Sequence, residues 1–312
     1  MNKKLLTAFI AIALFVPTTA QALTKSPVSY KAETQPATLA ILDTALDTSL
    51  PLFKDKIAYE VCIIEWPSCP NNKTFMEGAG SSVISQTGFS KNGFDHGTQM
   101  AAAAVLTNPN IKIVFVRIIG QNINYDRQIS TEAAVYNALN WVYQNKDKFN
   151  IKAVSMSQGN HLVMAGSTYC PSTPQTQSAI SNLLSAGIPT FLAAGNNRDY
   201  LRIDWPSCIP QAIAIGAGTK NGIELYSNHD NNLTDFYANG NMKVFTYNNT
   251  ELNAAGTSIA AQVAAATWLS LIQAKPTLTY QQAYDQFVKT STQIKGKQGV
   301  GKLMNGSAAI NG

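Results

Sequence analysis

Apolar positions along this chain follow two rhythms. Short runs that are apolar at almost every position, such as Leu39-Ala40-Ile41-Leu42 and Ile111 to Ile118, alternate with longer stretches in which bulky apolar residues recur three or four positions apart. The first rhythm predicts strands buried on both faces, and the second predicts helices packed against them. Strands are expected at Thr38 to Leu42 with Asp43 at the end, Tyr59 to Ile64, Ile111 to Ile118, Ala153 to Met156, Ile188 to Ala194 and Ala212 to Ala217. Helices are expected from His96 to about Asn108, over Thr131 to Tyr143, over Thr176 to Ala186 and over Ile259 to Ile272. Thr74 to Asn92 reads as a loop rich in Gly and Ser. Alternation of this kind gives an α/β fold class, with a mainly parallel central sheet and helices on both faces in three layers. No internal repeat or low-complexity linker breaks the pattern, so residues 38–312 read as one domain and the polar stretch 23–37, with Pro27 and Pro36, as an extended lead-in.

Residues 1–22 break the rhythm. They carry Lys3 and Lys4, then an almost wholly apolar run from Leu5 to Val16, and close with Ala20-Gln21-Ala22, the layout of a secretory signal peptide. The apolar run is shorter than the roughly 20 residues that span a bilayer, and no other stretch reaches that length. The expected product is exported, periplasmic or extracellular, and not membrane-embedded. A formal net charge of +5, reduced further by loss of the two lysines, is small and dispersed, which argues against nucleic acid as the main partner. The cysteines at 62, 69, 170 and 208 would meet oxidising conditions, where thiols pair. Of the possible connectivities, Cys62 with Cys69 around Trp66-Pro67, and Cys170 with Cys208 between two long loops, is favoured. A zinc site is the rival, and the missing Cys-x-x-Cys spacing counts against it.

Candidate chemistry gathers at element ends. Gly256-Thr257-Ser258 delivers a serine to the start of the last apolar helical run, where unpartnered backbone N–H groups and the helix dipole favour developing negative charge. A capping serine would look the same, so the rest of the chain decides. Asp43 stands at the end of a parallel strand, where open α/β sheets place their sites, although it could equally cap the next turn. His96 opens a helix of small residues; His161 and His229 lie in polar, loop-like surroundings and read as structural or surface residues.

Leu39 to Ala45, His96-Gly97-Thr98, Ala193-Ala194-Gly195-Asn196 and Gly256 to Ala260, in this order, resemble the subtilisin-like serine proteases, the subtilases, whose catalytic residues come in the order Asp, His, Ser. The resemblance spans essentially the whole chain after residue 22. Val154 to Gly159 looks like the family's substrate-binding strand and Gly299 to Gly306 like its closing segment. It implies a subtilisin-like three-layer fold and a secreted endopeptidase acting on polypeptides, with Ser258 as nucleophile, His96 as base, Asp43 orienting the imidazole and Asn196 donating to the oxyanion. Peptide would add as a strand between Asn124-Tyr125-Asp126 and Ser155-Met156-Ser157-Gln158-Gly159. Ala193, Ala194 and Gly195 would wall the pocket for the side chain before the cut bond. Asp204 at its floor would favour Lys or Arg.

This sequence also departs from the family. Ala45 and Ala102 stand where glycine is usual, and Gln262 replaces a proline; glutamine is a good helix former, so the helix is expected to survive. Leu52 occupies a position where calcium-binding members often place an aspartate, so that calcium site is expected to be absent and no cofactor or metal is called for, other acidic loops being the remaining route to calcium. The short stretch between residue 22 and the first strand leaves no room for the propeptide of many members. Folding unaided, with disulfides as substitutes, or restraint by a separate inhibitor or chaperone are the alternatives, and a monomer is expected. A catalytically idle subtilisin-like binding or adhesion module is the competing reading. An α/β-hydrolase esterase is disfavoured, because it expects Gly-x-Ser-x-Gly and the order Ser, acid, His.

Overall fold

The computed structural model describes residues 36–85, 93–122, 130–161, 170–171 and 173–312. The expected signal peptide and all but the last two residues of the lead-in lie outside them. In chain order the elements are β1 (Thr38–Asp43), β2 (Ile57–Ile63), β3 (Phe75–Glu77), α1 (His96–Thr107), β4 (Lys112–Arg117), α2 (Glu132–Asn145), β5 (Ile151–Met156), α3 (Pro174–Ser185) and β6 (Thr190–Ala193). They continue with β7 (Ile213–Thr219), β8 (Gly222–Ile223), β9 (Thr234–Ala238), β10 (Asn241–Thr246), β11 (Thr250–Ala255), α4 (Thr257–Ala274), α5 (Tyr280–Thr290), β12 (Thr292–Gly296), β13 (Gly299–Leu303) and α6 (Gly306–Asn311).

The main sheet runs β12-β13-β9-β7-β6-β5-β1-β4-β2-β3, with β8 paired to β7. From β2 through β9 the neighbours along it are parallel, and the antiparallel pairs sit at its margins. Successive side chains of a strand face opposite ways. Leu39 and Ile41 of β1, with Ile113 and Phe115 of β4, join one core together with α1, α4 and α5, whereas Ala40, Leu42, Val114 and Val116 join the other with α2 and α3. This is the expected three-layer α/β architecture. Trp268 of α4 is fully buried against Phe191, Tyr280 and Phe287, so truncating it to alanine is expected to cost about 3–5 kcal/mol.

Local rules explain the boundaries. Thr131 caps α2 by accepting from Ala134 N–H. α3 begins two residues before its expected start because Pro174 has a backbone preset for a first helical position. The Gly- and Ser-rich segment after Thr74 contains β3, and its residues 86–92 lie outside the described ones. Both favoured disulfides are present, Cys62–Cys69 and Cys170–Cys208, with Cα separations of 5.9 and 5.8 Å. Leu52 packs against the core from a short 3-10 turn.

Candidate active site

Asp43 ends β1 with its side chain fully buried. Its Oδ1 accepts from Thr44 N–H at 2.7 Å, His96 Nδ1 at 2.7 Å and Gln158 Nε2 at 2.9 Å. The carboxylate thus fixes the imidazole with its proton on Nδ1 and leaves Nε2 as the acceptor. His96 is the first residue of α1, held close to β1 because Gly97 N–H donates to Thr44 Oγ1 at 2.8 Å and Thr44 Oγ1 donates to Phe94 C=O at 2.8 Å. Gly97 permits this approach: a Cβ there would lie 2.5 Å from Ala45 O and 3.0 Å from Ala45 N. Neither Ala45 nor Ala102 has a positive φ, so alanine fits in both places.

The hairpin β10–β11 leads into the serine. Gly256 has φ +154° and ψ 159°, a conformation essentially reserved for glycine, and turns the chain into α4. Ser258 is the second residue of that helix, so its N–H has no carbonyl one turn back to bond. Asn196 follows β6 directly after Gly195, and its Oδ1 accepts from Thr257 N–H at 2.9 Å and Thr257 Oγ1 at 3.1 Å. Gly195 N–H donates to the same hydroxyl at 3.1 Å. The amide oxygen is therefore anchored on the protein, leaving Nδ2 as the donor available to a ligand. Ser157 Oγ donates to the Ser258 carbonyl at 2.9 Å and accepts from Gln262 Nε2 at 3.1 Å, while Ser258 Oγ stands 3.5 Å from Ser157 O. With Gln262 in place, α4 is unbroken.

One cleft of about 260 Å³ is lined by His96, Ser157, Gln158, Gly159, Ala193, Gly195, Asn196, Asn197, Asp204, Thr257 and Ser258. Residues far apart in sequence thus meet at the end of the parallel strands. Ser155 and Met156 do not belong to the expected binding edge: β5 is paired on both sides, to β1 and β6, and both residues are buried within it. Only Ser157 to Gly159, beyond the strand end, reach the cleft. Ala194 is fully buried and takes no part in the lining. Asn124, Tyr125 and Asp126 lie outside the described residues.

Asp204 does reach the cleft, with company. Its Oδ1 takes His161 Nδ1 at 2.7 Å and Asn228 Nδ2 at 2.9 Å, and its Oδ2 lies where a side chain on Gly195 would be. Burial pushes the carboxyl above its ordinary value and Asp199 adds to the rise, against the opposing pull of His161 and Asn228. His161 Nε2 is 3.9 Å from Asp199 Oδ2, and Asp199 is held by Arg202 Nε at 2.9 Å. His161 is thus bonded to a carboxylate that lines the cleft, without lining it itself. His229 is buried, bonded to Tyr237 OH and Asn231, in keeping with a structural role. Sequence reasoning also missed the hydroxyl of Thr257 and the side chain of Gln158, which it treated only as backbone edge. A polar residue at a strand end beside a buried carboxylate was the available signal for Gln158.

The family model described as "Subtilase family" matches residues 35–304. Among solved structures, a protease from Pseudoalteromonas arctica is similar at 19% identity and a TM-score of 0.68, covering 89% of this chain and 90% of its own. A cold-adapted subtilisin-like serine proteinase is similar at 21% identity and a TM-score of 0.63, covering 86% and 88%. The nisin leader peptidase from Lactococcus lactis is similar at 16% identity and a TM-score of 0.67, covering 89% and 88%.

Proposed function

The chain belongs to the subtilase family and is by that membership a serine endopeptidase; on that premise we propose that it cleaves polypeptides through an acyl-enzyme formed on Ser258, with His96, Asp43 and Asn196 as its partners. A serine hydroxyl is a poor nucleophile until a base takes its proton. His96 Nε2 accepts that proton as Ser258 Oγ bonds to the acyl carbon, and Asp43, against Nδ1, stabilises the imidazolium without being protonated. Charge on the former carbonyl oxygen meets Asn196 Nδ2 and the Ser258 N–H; one such donor is typically worth about 3–4 kcal/mol of transition-state stabilisation. His96 then gives its proton to the leaving amine. Water, deprotonated by His96, releases the acid and restores the hydroxyl.

The observation that carries this reading is the 2.7 Å bond between His96 Nδ1 and fully buried Asp43 on a cleft that Ser258 and Asn196 also line. Ser157 to Gly159 supply one backbone edge for substrate, with 124–126 the proposed opposite one. Asp204 supports a preference for Lys or Arg before the cut bond, because a half-bonded, mostly buried carboxylate gains from a cation. We read residues 38–312 as a single catalytic domain, exported behind the signal at 1–22; the two disulfides support that destination.

Labelling with a fluorophosphonate that reacts with activated serines, on wild type and Ser258→Ala in parallel, tests the assignment. Labelling of wild type alone, with cleavage of a peptide library lost in the variant, is expected. A folded wild type that neither labels nor cleaves would refute the enzyme and leave the idle binding module.

A further inference from the structure

On the cleft that the proposed nucleophile lines, Asp204 belongs to a charged cluster that the hydrolytic steps do not use. His161 sits between two carboxylates, 2.7 Å from Asp204 Oδ1 through Nδ1 and 3.9 Å from Asp199 Oδ2 through Nε2, and is only partly exposed. Asp199 is itself paired with Arg202 Nε at 2.9 Å, and Asn228, on the same carboxylate oxygen as His161, is neutral. The sequence from 162 to 169 carries no acidic, basic or histidine residue. With a neutral imidazole, Nδ1–H is donated and Asp204 keeps its charge for whatever enters the cleft. With an imidazolium, the pair is neutral overall and the Asp204 carboxylate on the cleft is already compensated.

We propose that His161 is a specificity-determining residue: its charge sets whether the Asp204 end of the cleft attracts a cationic side chain, so preference for Lys over a neutral side chain of equal length rises from acid to neutral pH. This rests on reading Asp204 as the floor of the pocket. Imidazole is the side chain that changes charge between about pH 5 and 8, whereas the substrate lysine stays charged throughout. Cancelling the net charge of the Asp204 carboxylate changes the binding of a nearby cation by about tenfold, a value between the aqueous limit and that of a partly enclosed protein surface.

The test is the ratio of kcat/KM for two peptides that differ only in lysine or norleucine before the cut bond, measured from pH 5.5 to 8. Any pH dependence of the chemical steps common to both substrates cancels in the ratio. The wild-type ratio is expected to rise about tenfold across this range. His161→Gln, a neutral donor, should hold the ratio high at every pH, and His161→Lys, permanently charged, should hold it low. The two variants bracket the two states, so one folded variant suffices. Survival of the wild-type slope in either variant overturns the role of His161, because the slope would then belong to Asp204 itself. A ratio near one at pH 8 that Asp204→Asn leaves unchanged overturns the floor assignment, and the inference falls with it. A strong lysine preference that is flat with pH overturns the inference about His161 alone.

Discussion

Thr257→Val isolates how the oxyanion donor is held. Valine keeps the shape and burial of threonine but deletes Oγ1, which accepts from Gly195 N–H at 3.1 Å and donates to Asn196 Oδ1 at 3.1 Å. Gly195 is buried, so its N–H is left without a partner at a cost of about 1–3 kcal/mol, a loss in Tm on the order of 5 °C for a chain of this size. Asn196 retains the bond from Thr257 N–H at 2.9 Å and loses one of two anchors. Deleting an oxyanion donor outright slows turnover about 100- to 1000-fold; loosening it by one ordinary hydrogen bond, about 1.4 kcal/mol, should slow kcat about tenfold. KM for a chromogenic peptide should barely move, because the amide acts on charge that exists only in the transition state. Thr257→Ser, which keeps the hydroxyl, should stay within about twofold of wild type. A valine variant that loses Tm yet keeps kcat within twofold would refute the anchoring argument.

Gly97→Ala places a Cβ 2.5 Å from Ala45 O, so the start of α1 and the loop after β1 must part; about 1–3 kcal/mol of stability and most activity should go, read by urea unfolding and peptide cleavage. Gln158→Met removes the 2.9 Å donor to Asp43 Oδ1 while keeping the volume, and should lower kcat two- to tenfold, measured by single-turnover acylation; an unchanged rate would make that bond incidental. Asp204, with its carboxyl raised above the ordinary value, binds a proton in the folded chain in a pH window where the unfolded chain does not, so stability falls as pH rises through the window and the full cost stands above it. Asp204→Asn should therefore raise Tm more at pH 7 than at pH 4, and equal gains at both would contradict that origin.

What the sequence disclosed follows from where the signal is strong. The interior parallel strands are apolar on both faces, and their runs stand out: β1 ends at Asp43 as expected, and β4 lies within its expected bounds. The hairpin β10–β11 is half exposed and mostly polar, as in Thr250-Glu251-Leu252-Asn253, so no apolar run marked it, although it leads the chain into Ser258. Ser155 and Met156 belong to the same conspicuous run as the cleft residues after them. Only pairing on both sides, to β1 and β6, distinguishes a buried strand from an exposed edge, and pairing is not a property of one segment. His161 illustrates the same limit: its partner is Asp204, 43 positions away.

Asp43, fully buried at the end of β1, and Asp204, partly buried on the cleft, are solvated by the protein to different degrees, and the roles proposed for them differ accordingly. Asp43 Oδ1 collects three donors from three separate segments, which holds an anion in an interior where an unpaired charge would be expelled. Such a group is fixed in place and serves to orient what it touches. Asp204 has two donors on one oxygen, while the other lies beside Gly195 at the cleft, and a second carboxylate nearby raises it further. A chain selected for stability alone would put an amide or an apolar residue there. The deficit is one that a cationic side chain in the cleft would make good, which is why the proposed preference for Lys or Arg falls on Asp204.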